Sequence, residues 1–506
     1  MREFIYYMIP PVRLTDFLFF EFLLAAGALY YISGSLFKRS QEYILLLISL
    51  IFYAVSAGIP LVKLFIIICY VALITYLGAI LTERTGRKIF TYFAVSALIA
   101  ALFFLKDLYN ILEWIYYFAG VNAADIEERF ARVKFFSLLG LSYYTLSAIG
   151  YILDVSWGSY KAERNLFKLM LYIFYFPALI SGPVMRYSQM REQFNNYHAL
   201  EYNNIAYGLR RMIWGYFKKL IISERFGIIV SAVYSNYNEY DGLYLIFAVL
   251  CYAVQLYTDF SGCMDIIMGA SNLFGINLPE NFDAPFFSLS LKDFWRRWHI
   301  SLGLWFKDYV MYPVQMSSFM IKTGKICRQK FGKKAGKKIP FYLSMLVLWT
   351  LIGLWHGGTA HYFIASGIVP FILITLSDLL GFINININLF NRIKTLLLMC
   401  VSFIFICTSS VSKGLEAFKI IFTKFAAPVS SKVSLINYLS LSDIILMFLG
   451  LIILLFADYL QYNKKSLTQL IDKQRALVQY AFIYCEILLI MFYGMLGNSS
   501  FIYFQF

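Results

Sequence analysis

Charge is scarce in this sequence. Asp, Glu, Lys and Arg make up 14% of its 506 residues, where a soluble domain carries roughly 25%, and the mean hydropathy is +0.67. That deficit excludes an ordinary soluble protein and predicts an integral membrane protein. Histidine is scarcer still, at four residues, so each one stands out. The seven cysteines, Cys69, Cys251, Cys263, Cys327, Cys400, Cys407 and Cys485, are scattered and odd in number. They form no CxxC pair, which predicts neither a disulfide framework nor a metal site. No internal repeat is evident, and that argues against an inverted-repeat transporter. The opening stretch MREFIYYMIPPVRLTDFLFF lacks a small-residue cleavage site and is read as retained.

What remains is apolar: 60% hydrophobic and 19% aromatic. With about 20 apolar residues per span, the chain has room for roughly 11–13 membrane helices plus re-entrant or interfacial helices. The fold class predicted is an all-α polytopic membrane protein with a single membrane domain over 1–506. Its N-terminal helices occupy 1–135, a motif-bearing core 138–360 and C-terminal helices 361–506. Spans are predicted near 17–33, 42–59, 61–81, 88–105, 138–154, 167–186, 243–274, 340–356, 361–380, 394–411, 443–461 and 476–496.

The net charge of +15 does not indicate nucleic acid, because the cations sit in the connections. Ile321–Lys338 alone holds eight Lys/Arg and no acid, which predicts a cytoplasmic loop with affinity for anionic membrane lipids. Lys464, Lys465, Lys473 and Arg475 precede the last span, which places the C-terminus on the extracytoplasmic side. Gly208–Ser223 alternates basic and aromatic residues and reads as an interfacial helix with snorkelling lysines, without chemistry of its own.

One stretch breaks the apolar rule. Asn281–Pro313 carries Lys292, Asp293, Arg296, Arg297, His299, Lys307 and Asp308 among Trp295, Trp298 and Trp305. Each such group near the bilayer centre costs about 2.5–3.5 kcal/mol, so the stretch must lie at an interface or line a wet, protein-walled cavity. A second anchor is LIGLWHGG, 351–358, where His356 closes an uncharged run. Counted from Lys338, a straight helix carries His356 about 27 Å inward. Burial there disfavours the imidazolium, leaving a neutral ring able to accept a proton.

An isolated histidine is more often a hydrogen-bonded core residue, and His299 could serve to orient a helix. His361 lies five residues after His356, on a different face, so a zinc pair is not predicted. His198, in NNYHAL, reads as a surface residue. Gln255 and Asp259 share a helix face that Asp265 does not, and such acids either meet substrate or pair with Arg296 or Arg297. FPALISGPVMRYS, 176–188, breaks a helix in apolar surroundings.

NFDAPFFSLSLKDFWRRWHISLGLWFKDYVMYP and LIGLWHGG, with FPALISGPVMRYS, LSYYTLSAIGYILD (141–154), AERN (162–165) and QLYTDFSGCMDI (255–266), form an ordered series. The series resembles the membrane-bound O-acyltransferases, in the branch of alginate O-acetylation and teichoic acid D-alanyl transfer proteins. SSVSKGLEAF, 409–418, departs from that pattern.

The resemblance implies helices around a funnel or tunnel, with catalytic roles for His356 and His299; acyl transfer also needs an oxyanion donor, for which the candidates are His299 and the indole N–H of Trp298 or Trp355. It implies transfer of an acyl group, foremost acetyl, from a cytoplasmic thioester towards hydroxyls of an envelope polysaccharide. The donor would be acetyl-CoA, with an acyl carrier protein thioester as the alternative, and no cofactor would be tightly bound. The partner would be an extracytoplasmic SGNH-type acetyltransferase. By analogy with a small aromatic-tailed partner of the D-alanylation system, Tyr503 in FIYFQF would relay the acyl group. Alternatives are D-alanyl transfer to teichoic acid and, outside enzymes, a polytopic exporter or flippase using its buried acids and histidines as a proton path.

Overall fold

The computed structural model describes residues 13–57, 59–107, 140–357, 360–379, 387–408, 410–426, 438–496 and 501. Among them every regular element is helical, apart from one isolated bridge. Among the described residues, nine helices are long and apolar enough to cross a membrane: Phe17–Leu36, Leu61–Thr85, Lys88–Lys106, Gly242–Asn272, Ser318–His356, His361–Leu379, Asn388–Cys407, Leu441–Tyr462 and Ala476–Tyr493. Such a chain satisfies its backbone within each segment, as hydrocarbon requires. The all-α polytopic architecture read from the sequence is therefore the one observed.

The chain divides into two compact units. One takes in Met1–Met212 and Cys263–Pro279, the other Ile213–Gly262 and Glu280–Phe506. In the first, the hydroxyls of Tyr53 and Tyr144 meet at 3.1 Å, and Tyr151, Tyr172 and Tyr187 cluster with their ring centroids 4.9–6.3 Å apart. Residues 167–186 are not the single span predicted. Helix Leu166–Phe174 stops before Pro177, Phe176–Leu179 adds one turn, and residues 182–186 are irregular. This broken backbone is buried in protein, where Tyr172 donates a hydrogen bond to the Met185 carbonyl at 2.9 Å. Asp265 pairs with Arg211 at 3.0 Å rather than with Arg296 or Arg297.

In the second unit, Gly262 lets helix Gly242–Asn272 close on its neighbour, since a Cβ there would lie 2.8 Å from the Gly215 carbonyl. Lys218 and Lys219 do not snorkel. Both are buried in the π-helical turn Phe217–Ser223, where Lys218 donates to Ser261 at 2.8 Å. Lys219 bridges Asp259 and Glu224 at 2.6 Å each. Facing carboxylates outweigh the lure of water for an ammonium already enclosed by packing. The next residue but five, Arg225, donates to Asp443, to the Leu220 and Ile221 carbonyls and to the Tyr493 carbonyl, tying three helices together.

The basic run 321–338 is helical, not a loop. Ser318–His356 breaks at Gly332 (φ 87°, ψ 175°), and the two arms fold back on each other. A Cβ on Gly336 would lie 2.6 Å from Arg328 Cβ, and one on Gly324 would lie 3.1 Å from the Gly336 carbonyl and 3.3 Å from Pro340 Cγ. The contacts 328 with 336 and 324 with 340 are symmetrical about 332, so the arms form an antiparallel hairpin with a seam of small residues. The second arm continues unbroken to His356.

The backbone of Gly332 occupies a region open essentially to glycine alone, so Gly332→Ala is expected to destabilise the fold by about 1–3 kcal/mol. Thermal unfolding of the purified protein in detergent measures this; an unchanged midpoint contradicts the hairpin turn.

Candidate active site

The sequence between Asn281 and His299 folds back on itself. Phe282 and Trp298 form an antiparallel bridge, and the Asp283 amide donates to the Arg297 carbonyl at 3.1 Å. Asn281 closes the corner: its carbonyl accepts from the Ile300 amide at 3.0 Å, and its side-chain oxygen accepts from the Ser301 amide at 3.0 Å. Asn281 thereby satisfies orphan amides at the start of helix Ile300–Phe306, a service the N-cap residue usually performs. The N-cap is His299, in the left-handed conformation at φ 47°, ψ 53°. That conformation costs a non-glycine residue about 1–2 kcal/mol, and the Asn281 bonds hold it in place.

The charges in this stretch are consumed in positioning. Asp293 accepts from Arg296 at 2.5 Å and from Arg297 at 3.0 Å, and Arg297 also reaches Asp283. Burial raises the Asp293 carboxyl, but these guanidinium bonds outweigh it and hold the group below the usual carboxylate range.

The two histidines expected from the motifs come together. His299 is buried with its ring edge-on to Phe260 at 4.8 Å and 6.1 Å from Trp355, whose indole lies 4.9 Å from the His356 ring. Phe260, His299, Trp355 and His356 thus form a row of rings within one unit. Burial pushes His299 well below the ordinary histidine value, and the electrostatic influence of His356 pushes in the same direction. His356 is half-buried at the end of its helix. Trp298 stacks on Phe294 at 5.5 Å and meets Phe282 at 5.1 Å, so it packs among the aromatic rings of the folded-back segment.

Gln255 and Asp259 take another face of helix Gly242–Asn272. Asp259 pairs with Lys219, and Gln255 packs against Gly227, so neither is placed with the imidazoles, nor does Asp259 pair with Arg296 or Arg297. Tyr503 lies outside the described residues, although Phe501 is buried with the Lys219 ammonium 4.8 Å from its ring centroid.

Sequence reasoning passed over a brace behind the corner. Tyr257 contacts Phe282, Phe286 and Trp298 and donates to buried Asp458 at 2.9 Å. Gln461, one turn along the Asp458 helix, donates to the Phe282 carbonyl at 3.0 Å. The signal was present: Asp458 is an acid in an apolar run, and intramembrane acids are functional candidates by default. Chemically, the row of rings offers an imidazole to accept a proton and indole and imidazole N–H groups to donate to a developing oxyanion, beside apolar walls.

Comparison with known proteins bears on the same segment. The family described as MBOAT, membrane-bound O-acyltransferase family, matches residues 163–326, a range that includes His299 and ends before His356. A probable alginate O-acetylase AlgI of Pseudomonas syringae is 31% identical over 354 residues, 68% of this chain and 62% of that protein. The teichoic acid D-alanyltransferase of Bacillus subtilis is 31% identical over 279 residues, 54% of this chain and 67% of the relative. A peptidoglycan O-acetyltransferase of Helicobacter pylori is 29% identical over 249 residues, 43% of each chain.

Because the folded His299 resists protonation, its imidazole is expected to remain neutral as pH falls from 8 to about 6, where a free histidine titrates near 6.5. The unfolded chain then binds the extra proton, so this contribution to stability is lost as pH falls below about 6.5. Nuclear magnetic resonance of ring-labelled histidine, assigned by the signal lost in His299→Asn, reads the state directly; an imidazolium at pH 7 contradicts it.

Proposed function

The chain belongs to the membrane-bound O-acyltransferase family, and from that premise we propose that it transfers an acyl group, foremost acetyl, from a thioester donor to a hydroxyl. The observation that carries this reading is the meeting of His299, Trp355 and His356 in one row of rings.

The reaction needs a base, an oxyanion donor and few competing waters. His356 accepts the proton of the attacking hydroxyl as its oxygen bonds to the thioester carbonyl carbon. The carbonyl oxygen gains negative charge and is met by an N–H of Trp355 or His299. When the intermediate collapses, the carbon–sulfur bond breaks and the thiolate takes the proton held by His356. Ester and thiol are the products, and the imidazole is neutral again. Trp298, Tyr257 and Asn281 hold the geometry without contributing a proton.

For the donor we propose acetyl-CoA at the cytoplasmic face, the side to which the basic run 321–338 is assigned. The acceptor class is an envelope polysaccharide, reached through an extracytoplasmic partner of the SGNH type, with the C-terminus on that side. The names of the alginate and peptidoglycan O-acetylating relatives support the acetyl reading. A second reading, D-alanyl transfer from a carrier-protein thioester, is supported by the Bacillus subtilis relative, two thirds of which this chain covers.

Tyr503 is proposed as the relay that carries the acyl group between donor and acceptor. Its phenol, with an ordinary pKa near 10, needs a base to become a nucleophile.

His356→Ala is expected to lower consumption of a radiolabelled acyl thioester by about 10²–10⁴-fold while leaving thermal unfolding unchanged. Labelled acetyl-CoA and a labelled D-alanyl carrier protein, supplied separately, discriminate the two donors. Undiminished turnover by the variant rejects the assigned base. Tyr503→Phe is expected to abolish transfer to acceptor; full transfer by that variant removes the tyrosine from the reaction.

A further inference from the structure

The helical hairpin Ile321–Lys338 holds eight Lys/Arg and no acid, and its geometry fits a specific environment independently of the reaction. We propose that it is a binding site for the headgroups of anionic phospholipids, set into the headgroup layer as a cationic collar around the helix that ends at His356.

Three observations carry this. The first is charge. Lys322, Lys325, Arg328, Lys330, Lys333, Lys334, Lys337 and Lys338 are all exposed, and the run holds no acid. Among the described residues Lys338 is the one with an ion pair across the fold, to Asp378 at 3.0 Å. Basic residues near an anionic leaflet each gain attraction that a neutral surface does not offer.

The second is depth. From Pro340 to Trp355 the second arm presents an apolar helix about 24 Å long, most of a hydrocarbon core about 30 Å thick. The eight residues from Pro340 back to Gly332 add about 12 Å, which carries the turn through the last of the core and into a headgroup layer about 5–8 Å deep. The antiparallel pairing of 324 with 340 and 328 with 336 returns the first arm through the same layer. Lys330, Lys333 and Lys334, next to the turn, therefore lie at the level of lipid phosphates, and the longer side chains of Lys325 and Arg328, level with 339 and 336, reach up to the same layer from the edge of the core.

The third is the company the charges keep. Phe331 and Ile326 are 69% and 52% exposed among the lysines, and Phe331 sits immediately before the turn. Aromatic and aliphatic side chains interleaved with Lys and Arg are the composition of a surface that lies in a membrane interface. An acidic soluble protein would satisfy the charge but would leave Phe331 in water. The seam of Gly324, Gly336 and buried Cys327 keeps the two arms together, so the cations stand on a rigid support rather than on a loop.

The full-length protein is reconstituted in nanodiscs of phosphatidylcholine with a minor share of phosphatidylglycerol, then extracted, and the retained lipids are identified by mass spectrometry. The expected result is severalfold enrichment of phosphatidylglycerol over its share in the disc. In the variant carrying Lys325→Gln, Arg328→Gln, Lys330→Gln, Lys333→Gln and Lys334→Gln, retention falls to that share. Equal enrichment in both proteins, or none in the wild type, overturns the proposal. A spin label on Phe331→Cys supplies a second reading that needs no charge removal. Membrane-dissolved oxygen is expected to relax it more strongly than a water-soluble nickel complex does. The opposite order, a tip in bulk water, also overturns the proposal and favours a soluble acidic partner instead.

Discussion

A bilayer does not hydrate a charge, and that constraint decides where the ionisable groups of this protein lie. Several that are enclosed come with partners: Lys219 with Asp259 and Glu224, Arg225 with Asp443 and three carbonyls, Arg211 with Asp265. Removing one member of such a pair leaves the other charge uncompensated, a loss of about 3–5 kcal/mol in proteins generally. The pairs also join elements distant in sequence. Arg225 gathers the π-helical turn, the start of Leu441–Tyr462 and the end of Ala476–Tyr493, so the solvent's refusal of charge becomes a source of tertiary specificity.

The histidine corner follows a different logic. Its stability comes from backbone hydrogen bonds placed by Asn281 and from aromatic packing by Phe282, Trp298 and Tyr257. Phe260 meets His299 in a T-shaped ring contact, while the neighbouring Asp259 turns to Lys219. One helix therefore presents an apolar ring to the imidazole and a carboxylate to the ammonium. The arrangement keeps a neutral ring beside a strongly charged layer.

The sequence made the helical, polytopic character legible because apolar runs of span length have few other uses. It also signposted the imidazoles: Trp298-His299 and Trp355-His356 are polar residues in places where hydrocarbon should rule. What it concealed was partnership. Nothing local says that Lys219 meets Asp259, forty residues on, so basic residues beside aromatics read as an interfacial face. Nothing local says that Asn281 caps a helix beginning at Ile300, because the cap acts across a chain reversal. A glycine- and lysine-rich run reads as a loop until 324 is seen against 340, since the seam exists only after the turn at Gly332 is made. Asp458 differs from these: its setting was readable, and only its partner Tyr257 required the fold.

The arm that leaves Gly332 continues without interruption to Trp355 and His356. A rod of that length, about 35 Å, moves its far end by about 1 Å when it leans by about 2°. Displacements of that size are enough to cost a reacting group about a hundredfold in rate. A tilt of this arm about Gly332 is therefore also a displacement of the His356 ring, because no further break in the helix lies between them.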